Sequence, residues 1–188
     1  ISESYLSEGN AAKAREYYEI FGEGAKEMDD ADLFYAGSVM YSTGDYKGAV
    51  DKFSRMTSRA DSIGQIANYE MAYSYIKTGN KVAAMDAFKA ASSQPWNEDI
   101  REDAHFNYAK LSFDLNNNPS VFNEYMKAYP GKKKDDIIYG YIALACLYGH
   151  DYAAAVDAYS NIDLLDSRQK VNYMKANYLR AHQLIEGG

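Results

Sequence analysis

Apolar residues along most of the chain recur at spacings of three and four, which is the period of an α-helix. The stretch before Gly79 shows this clearly, and its apolar members are Ile66, Tyr69, Met71, Ala72, Tyr75 and Ile76. This set is too wide for a helix with one buried stripe, so it predicts a helix that packs on two sides. Two-sided packing is typical of stacked helix pairs, because one pair cannot bury its apolar face alone.

A longer pattern repeats along the same chain. A small residue is followed four positions later by an aromatic residue, and three positions after that by an apolar or small one. Its copies are Ala14, Tyr18, Phe21; Ala49, Phe53, Met56; Ala84, Phe88, Ala91; Val121, Tyr125, Ala128; and Ala155, Tyr159, Ile162. Successive copies start 35, 35, 37 and 34 residues apart. Such a period indicates helical repeats, and we expect the aromatic residues to fill the space between successive helix pairs.

A second column of small residues lies upstream and consists of Gly37, Ala72, Ala109 and Ala143. A turn-forming residue follows seven positions later in each copy, at Gly44, Gly79, Asn116 and His150, and Gly9 takes this place in the first copy. Gly and Asn tolerate the left-handed backbone that ends a helix. Each copy is therefore predicted to be helix, tight turn, helix. We expect Gly37 to face Ala49 and to let the two backbones approach closely.

The repeat divides the whole chain into a single predicted all-α array. The array consists of a truncated unit at 1–28, full units at 29–63, 64–100, 101–134 and 135–165, and the first helix of a further unit at 166–188.

Three segments carry a family resemblance: Gly37 to Phe53, Met71 to Phe88 and Asp136 to Ile162 resemble the tetratricopeptide repeat signature. The remaining full unit departs from it, since Val121 replaces Ala and the turn is rich in Asn. The resemblance implies an α-solenoid, a right-handed superhelix of antiparallel helix pairs. Its first helices would line a concave groove that binds a peptide or a helix of another protein.

The resemblance also implies which first-helix residues line the groove. They are Phe34, Ser38, Tyr41, Tyr69, Tyr73, Ile76, Phe106, Lys110, Phe113, Leu144, Leu147 and Tyr148. The groove would be aromatic, and Tyr offers contact area and a hydroxyl at small entropic cost. Two alternatives stay open: these residues could pack between adjacent first helices, or a partner could use the convex face.

Composition and charge narrow the class of partner. The formal net charge is −7, whereas a nucleic-acid binder normally presents a basic face, so no nucleic acid is expected. The basic cluster Lys132 to Lys134 precedes Asp135 and Asp136, which indicates a solvated loop before a helix, with an anionic partner as the alternative. The single cysteine excludes an internal disulfide. No apolar run is long enough to span a bilayer.

Candidate catalytic residues do not form a recognisable constellation. The histidines lie far apart in sequence, at His105, His150 and His182. Cys146 has no His or Asp placed to activate it, so we predict a buried structural thiol. The acidic pairs at 29–30 and 135–136 are explained by helix capping. We therefore predict no catalytic, cofactor or metal site, and a chain that is not an enzyme.

The sequence thus predicts a non-catalytic protein-protein interaction scaffold, or alternatively a regulatory or specificity module of a larger polypeptide that carries an enzymatic domain. The first residue, Ile1, suggests a fragment of a longer protein. The apolar last helix lacks a following partner, so self-association through it is expected. The chain also looks like the large repeat proteins of Bacteroides-type bacteria and resembles periplasmic repeat proteins, which points to the cell envelope.

Overall fold

The computed structural model describes residues 2–21, 28–56, 59–116, 118–130 and 136–187, apart from the side chains of residues 2, 3, 20 and 21. The basic cluster Lys132 to Lys134 and the side chain of Phe21 therefore lie outside the described residues. The described ranges contain helices and no strand, which confirms the predicted all-α class. The helices are α1 (Ser2–Ser7), α2 (Ala11–Phe21), α3 (Asp30–Ser42), α4 (Tyr46–Arg55), α5 (Ser62–Thr78), α6 (Lys81–Ser92), α7 (Glu98–Asn116), α8 (Ser120–Ala128), α9 (Asp136–Tyr148), α10 (Tyr152–Ser160) and α11 (Ser167–Glu186).

The chain forms two compact units, unit 1 from Ile1 to Tyr108 and unit 2 from Ala109 to Gly188. In unit 1, α1 pairs with α2, α3 with α4 and α5 with α6, and each pair also contacts the next one. In unit 2, α9 pairs with α10, and both contact α11. We call α3, α5, α7, α9 and α11 the first helices, because each stands first in its predicted repeat. The right-handed superhelix stays a prediction.

Left-handed backbone is found at four of the five predicted turn residues. Gly9, Gly44, Gly79 and His150 have positive φ, whereas Asn116 is the last residue of α7. The residue after the turn then caps the second helix, because its side-chain oxygen accepts a hydrogen bond from the backbone N–H three residues later. Asp45, Asn80 and Asp151 make this contact at 3.0, 3.2 and 3.1 Å. The turn residues therefore end one helix and start the next.

The aromatic column of the repeat is buried, and its members are Tyr18, Phe53, Phe88, Tyr125 and Tyr159. Phe53 of α4 forms one core cluster with Ala67 of α5, which places it between successive helix pairs as predicted. The approach of Gly37 to Ala49 stays a prediction. A Cβ atom at Gly37 would lie 2.5 Å from the Phe53 ring, so the missing side chain makes room for that ring.

The last helix begins before its first large apolar residue, since α11 starts at Ser167 and Val171 follows four residues later. Asp166 and Gln169 form a capping box: the Asp166 side chain accepts from the Gln169 N–H at 2.7 Å, and the Gln169 side chain accepts from the Asp166 N–H at 2.9 Å. This pair fixes the helix start ahead of its first apolar residue. None of the described helices combines the length and the apolar character that a bilayer crossing requires.

Candidate functional site

In unit 1, the predicted groove residue Ser38 is buried and makes an internal hydrogen bond. Its hydroxyl, on α3, donates to Oε2 of Glu70 on α5 at 2.7 Å. Burial raises the pKa of the Glu70 carboxyl to about 7, and the hydrogen bond from Ser38 acts in the opposite direction. Glu70 therefore joins two consecutive first helices and changes its charge close to neutral pH. Because Ser38 is buried and its hydroxyl makes this internal contact, it does not contribute accessible surface to a groove.

The hydroxyls of two further predicted groove residues, Tyr69 and Tyr73, donate hydrogen bonds to the same internal acceptor. They donate to Oδ2 of Asp103, on α7, at 2.8 and 2.7 Å, and Nδ2 of Asn107 donates to the same oxygen at 3.0 Å. Burial is the main cause that raises the pKa of both tyrosines, and the bond to Asp103 adds to it; the pKa of Tyr73 rises to about 12. Both rings also contact Phe88 edge-on, with centroids 6.3 and 5.0 Å away. The cluster ties α5 to α7.

The remaining predicted groove residues of unit 1 are half-buried; they are Phe34, Tyr41, Ile76 and Phe106. The Phe34 ring lies 6.4 Å from the ring of Phe53, and the Tyr41 ring lies 6.0 Å from that of Tyr46. Part of their aromatic surface is therefore used by contacts inside unit 1.

Unit 2 contains an open cleft of about 510 Å³. Three predicted groove residues line it: Phe113 at the end of α7, and Leu144 and Tyr148 on α9. The other lining residues are Asp114, Ile137, Gly140, Tyr141, Tyr159, Asp166, Arg168, Gln169 and Asn172. The cleft is thus built from the end of α7, one face of α9, the buried Tyr159 of α10 and the start of α11.

On the side of the cleft formed by α9, Gly140 contributes backbone and no side chain. A Cβ atom at this position would lie 2.8 Å from Nε2 of Gln169, so the missing side chain lets the start of α11 approach the backbone of α9. The ring of Tyr148 lies 5.9 Å from that of Phe113 and is 53 % exposed. Phe113 is itself buried, with 6 % of its surface exposed, so the Tyr148 ring is the aromatic surface that a ligand can reach.

The rim of the cleft is polar. Asp114, Asp166 and Arg168 are exposed, and the side chains of Gln169 and Asn172 are half-buried beside them. Apolar walls with a few polar groups that can orient a ligand are typical of binding sites in proteins.

The other two predicted groove residues of unit 2 contribute differently. Leu147 is buried. The Nζ atom of Lys110 lies 5.1 Å from the ring centroid of Tyr141, within the range of a cation–π contact. Lys110 therefore supports one of the rings that line the cleft.

No protein-family model matches the chain, and no curated protein matches it.

Cys146, His150 and His182 lie outside the residues that line the cleft. Cys146 is buried, as predicted, and burial raises the pKa of its thiol to about 11, so the thiol is protonated at neutral pH. His150 has Nδ1 2.8 Å from the Tyr152 hydroxyl, and His182 lies 3.1 Å from the Glu186 carboxylate. Within the described ranges, no group of three His, Cys, Asp or Glu side chains could hold a metal ion.

The sequence did not single out several residues that shape the site. Ile137, Gln169 and Asn172 line the cleft, although none belongs to the predicted groove. One signal could have found the two α11 residues: Ala176 follows Ala143 by 33 residues and so continues the column of small residues. This register places the start of α11 beside α9, where Gln169 and Asn172 lie.

Proposed function

We propose that the chain is a non-catalytic scaffold of tetratricopeptide type that binds a peptide or a helix of another protein in the cleft of unit 2. The observation that carries this proposal is the cleft itself, which has an aromatic wall, a polar rim and an opening to solvent. Its volume lies in the range of about 300–1,000 Å³ that is usual for sites of small ligands and side chains. It therefore suits a few side chains of a peptide.

The chemistry of the wall supports a protein ligand. The exposed ring of Tyr148 can bury a large area at small entropic cost, and such aromatic residues dominate the energetics of protein interfaces. Leu144 and Ile137 add aliphatic surface beside them. An apolar side chain of the partner would be the main anchor in this environment.

The rim supplies the groups that would orient the partner. The Gln169 Oε1 atom already accepts from the Asp166 N–H, but its Nε2 group and the side-chain amide of Asn172 can pair with a peptide backbone. Two carboxylates, Asp114 and Asp166, stand beside one guanidinium, Arg168. Because both signs of charge are present, the rim favours a partner with mixed polar groups over a purely ionic one.

The test begins with selection of peptides from a displayed library against the immobilised chain, followed by titration of one labelled peptide. Ile137→Ala and Tyr148→Ala should each weaken binding about tenfold, which corresponds to about 1.4 kcal/mol. Leu164→Ala is the matched control, because Leu164 is exposed in unit 2 but does not line the cleft. Circular dichroism should show the same helix content for all three variants.

The proposal fails if the selected peptides bind Ile137→Ala and Tyr148→Ala as tightly as the unmodified chain. Equal weakening by Leu164→Ala would also contradict it, since binding would then not depend on the cleft.

A further inference from the structure

α11 presents two different faces. On one face Ala176 is fully buried and the ring of Tyr173 lies 5.6 Å from that of Tyr159 on α10. On the other face four large apolar side chains are between 64 and 81 % exposed: Val171, Met174, Tyr178 and Ile185. Isolated apolar residues on a surface are ordinary, but an apolar row along one helix marks an interaction surface.

The spacing of this row is that of a coiled-coil seam. Val171, Met174, Tyr178 and Ile185 are separated by three, four and seven residues, and the exposed Ala181 fills the remaining place. These are the a and d positions of successive heptads, which form a narrow stripe for one partner helix. We call the stripe from Val171 to Ile185 the α11 seam. It is about 21 Å long at 1.5 Å per residue.

The charges beside the α11 seam are basic in an acidic chain. Lys170 and Lys175 are exposed on its two flanks, in the g and e positions. α11 as a whole has four cationic side chains, Arg168, Lys170, Lys175 and Arg180, against one carboxylate, Glu186. Its net charge is therefore +3, whereas the whole chain carries −7.

From the seam and its flanks we infer that α11 binds an amphipathic helix of another protein whose flanking residues are acidic. Apolar side chains of that helix would pack along the α11 seam, and its Glu or Asp residues would meet Lys170 and Lys175. Charge complementarity selects this occupant. A second copy of α11 offers these lysines no carboxylate, because none of its e and g positions holds Asp or Glu, and in a parallel pair Lys170 would face Lys175.

An anionic membrane surface is a different occupant that a basic apolar helix can attract. Two features disfavour it. The α11 seam is a narrow row, whereas helices that lie in membranes immerse a broad apolar face. The chain around the helix is acidic, so an anionic bilayer would repel it.

The α11 seam is separate from the cleft of unit 2. The α11 residues that line the cleft are Arg168, Gln169 and Asn172, none of which belongs to the seam. A partner on the seam therefore does not require the cleft to be occupied, and the two sites can be tested independently.

The test uses two synthetic helices with identical leucine and isoleucine seams, one flanked by glutamate and one by lysine. Binding of each labelled helix to the full chain is measured by fluorescence anisotropy at low and moderate salt. The acidic helix should bind at least about tenfold more tightly than the basic one, and the preference should shrink with salt. The double variant Lys170→Glu and Lys175→Glu should reverse the preference.

Two substitutions test the apolar part of the interface. Tyr178→Ala and Ile185→Ala should each weaken binding of the acidic helix about tenfold. Leu164→Ala is the matched control for an exposed apolar residue outside α11, and Tyr148→Ala is the control for the cleft. Both controls should bind the acidic helix like the unmodified chain. All four side chains are largely exposed, so the fold should be retained.

Several results would overturn the inference. Equal binding of the acidic and the basic helix would show that the α11 seam does not select an acidic partner. An unchanged preference in the charge-reversed variant would show the same. Loss of binding in Tyr148→Ala would place the helix in the cleft. Sedimentation that shows a dimer abolished by Tyr178→Ala would assign the α11 seam to a second copy. Tighter capture by vesicles of phosphatidylcholine and phosphatidylglycerol than by the acidic helix would assign it to a membrane.

Discussion

Tyr69 in unit 1 and Gly140 in unit 2 occupy corresponding places, three residues before a member of the column of small residues. The Tyr69 hydroxyl donates to Asp103 and its ring contacts Phe88, so this place is closed by internal contacts. Gly140 has no side chain, and the corresponding place in unit 2 borders an open cleft. The next place along shows the same difference, with Tyr73 bound to Asp103 and Leu144 lining the cleft.

Positions of the repeat pattern have two different roles: some fix the packing of each helix pair, and others vary between the units. The small and aromatic columns fix how the helices of a pair pack, because both units bury them. The first-helix places beside these columns are less constrained. Unit 1 uses them for hydrogen bonds between helices, which stabilise the fold, whereas unit 2 leaves them as accessible surface.

The largest expected effect is on the free energy of unfolding and concerns unit 1, where the first-helix side chains make internal contacts. Phe88 is fully buried under Tyr69 and Tyr73, so Phe88→Ala should lower the free energy of unfolding by about 3–5 kcal/mol through the cavity it leaves. Val82→Ala, at an exposed position of the same helix, should change it by about 0.5 kcal/mol or less. Urea denaturation measures both. Similar values for the two variants would mean that unit 1 is not tightly closed around Phe88.

A second pair of variants compares two carboxylates on α7. Asp103→Ala removes the acceptor of three hydrogen bonds and should cost about 1–3 kcal/mol of unfolding free energy. Asp114 is exposed at the cleft, so Asp114→Ala should leave stability almost unchanged and alter only the affinity for a selected peptide. If Asp114→Ala proved as destabilising as Asp103→Ala, the assignment of structural and binding roles would be wrong.

The tie between Ser38 and Glu70 makes unit 1 sensitive to pH. The pKa of Glu70 is about 7 in the folded chain and lies near 4.5 in an exposed carboxyl. The folded state therefore holds the proton more tightly, and its stabilisation is complete below the ordinary pKa and lost as the pH rises to 7. Glu70→Gln cannot ionise. It should be up to about 3 kcal/mol more stable than the unmodified chain at pH 8 and nearly equal to it at pH 4.

Denaturation at the two pH values measures the difference between Glu70→Gln and the unmodified chain. A difference that is the same at both pH values would show that Glu70 does not titrate in this range.

The smallest expected effect concerns the support of the cleft. Lys110→Met removes the cation above the Tyr141 ring but keeps a similar apolar stem, and should cost about 0.5–1 kcal/mol. Thermal denaturation measures it, with Lys77→Met on the exposed end of α5 as a control. A loss as large as that of Phe88→Ala would mean that Lys110 is part of the core.

The sequence predicts the features that depend on neighbouring residues and misses those that depend on distant ones. The turns at Gly44, Gly79 and His150 were predictable, because each needs only a residue that accepts left-handed backbone. The buried aromatic column was predictable from its period. Both features are set within one repeat.

The candidate site was only partly predictable. Phe113, Leu144 and Tyr148 line the cleft, but Ser38, Tyr69 and Tyr73 are engaged inside unit 1. Their engagement depends on Glu70 and Asp103, which lie 30 to 34 residues further along the chain and carry no local signal. Which first-helix residues stay accessible is therefore decided by contacts between repeats.

The most direct test of the account is to fill the cleft at Gly140. In Gly140→Phe the new Cβ displaces the end of the Gln169 side chain, which gives up its bond from the Asp166 N–H, and the ring occupies the cleft. Affinity for a peptide selected against the unmodified chain should fall at least about tenfold. Helix content should stay close to that of the unmodified chain, and the melting temperature should fall by only a few degrees through the lost capping bond. If the folded Gly140→Phe variant bound the peptide with full affinity, the cleft beside Gly140 in unit 2 would not be the binding site.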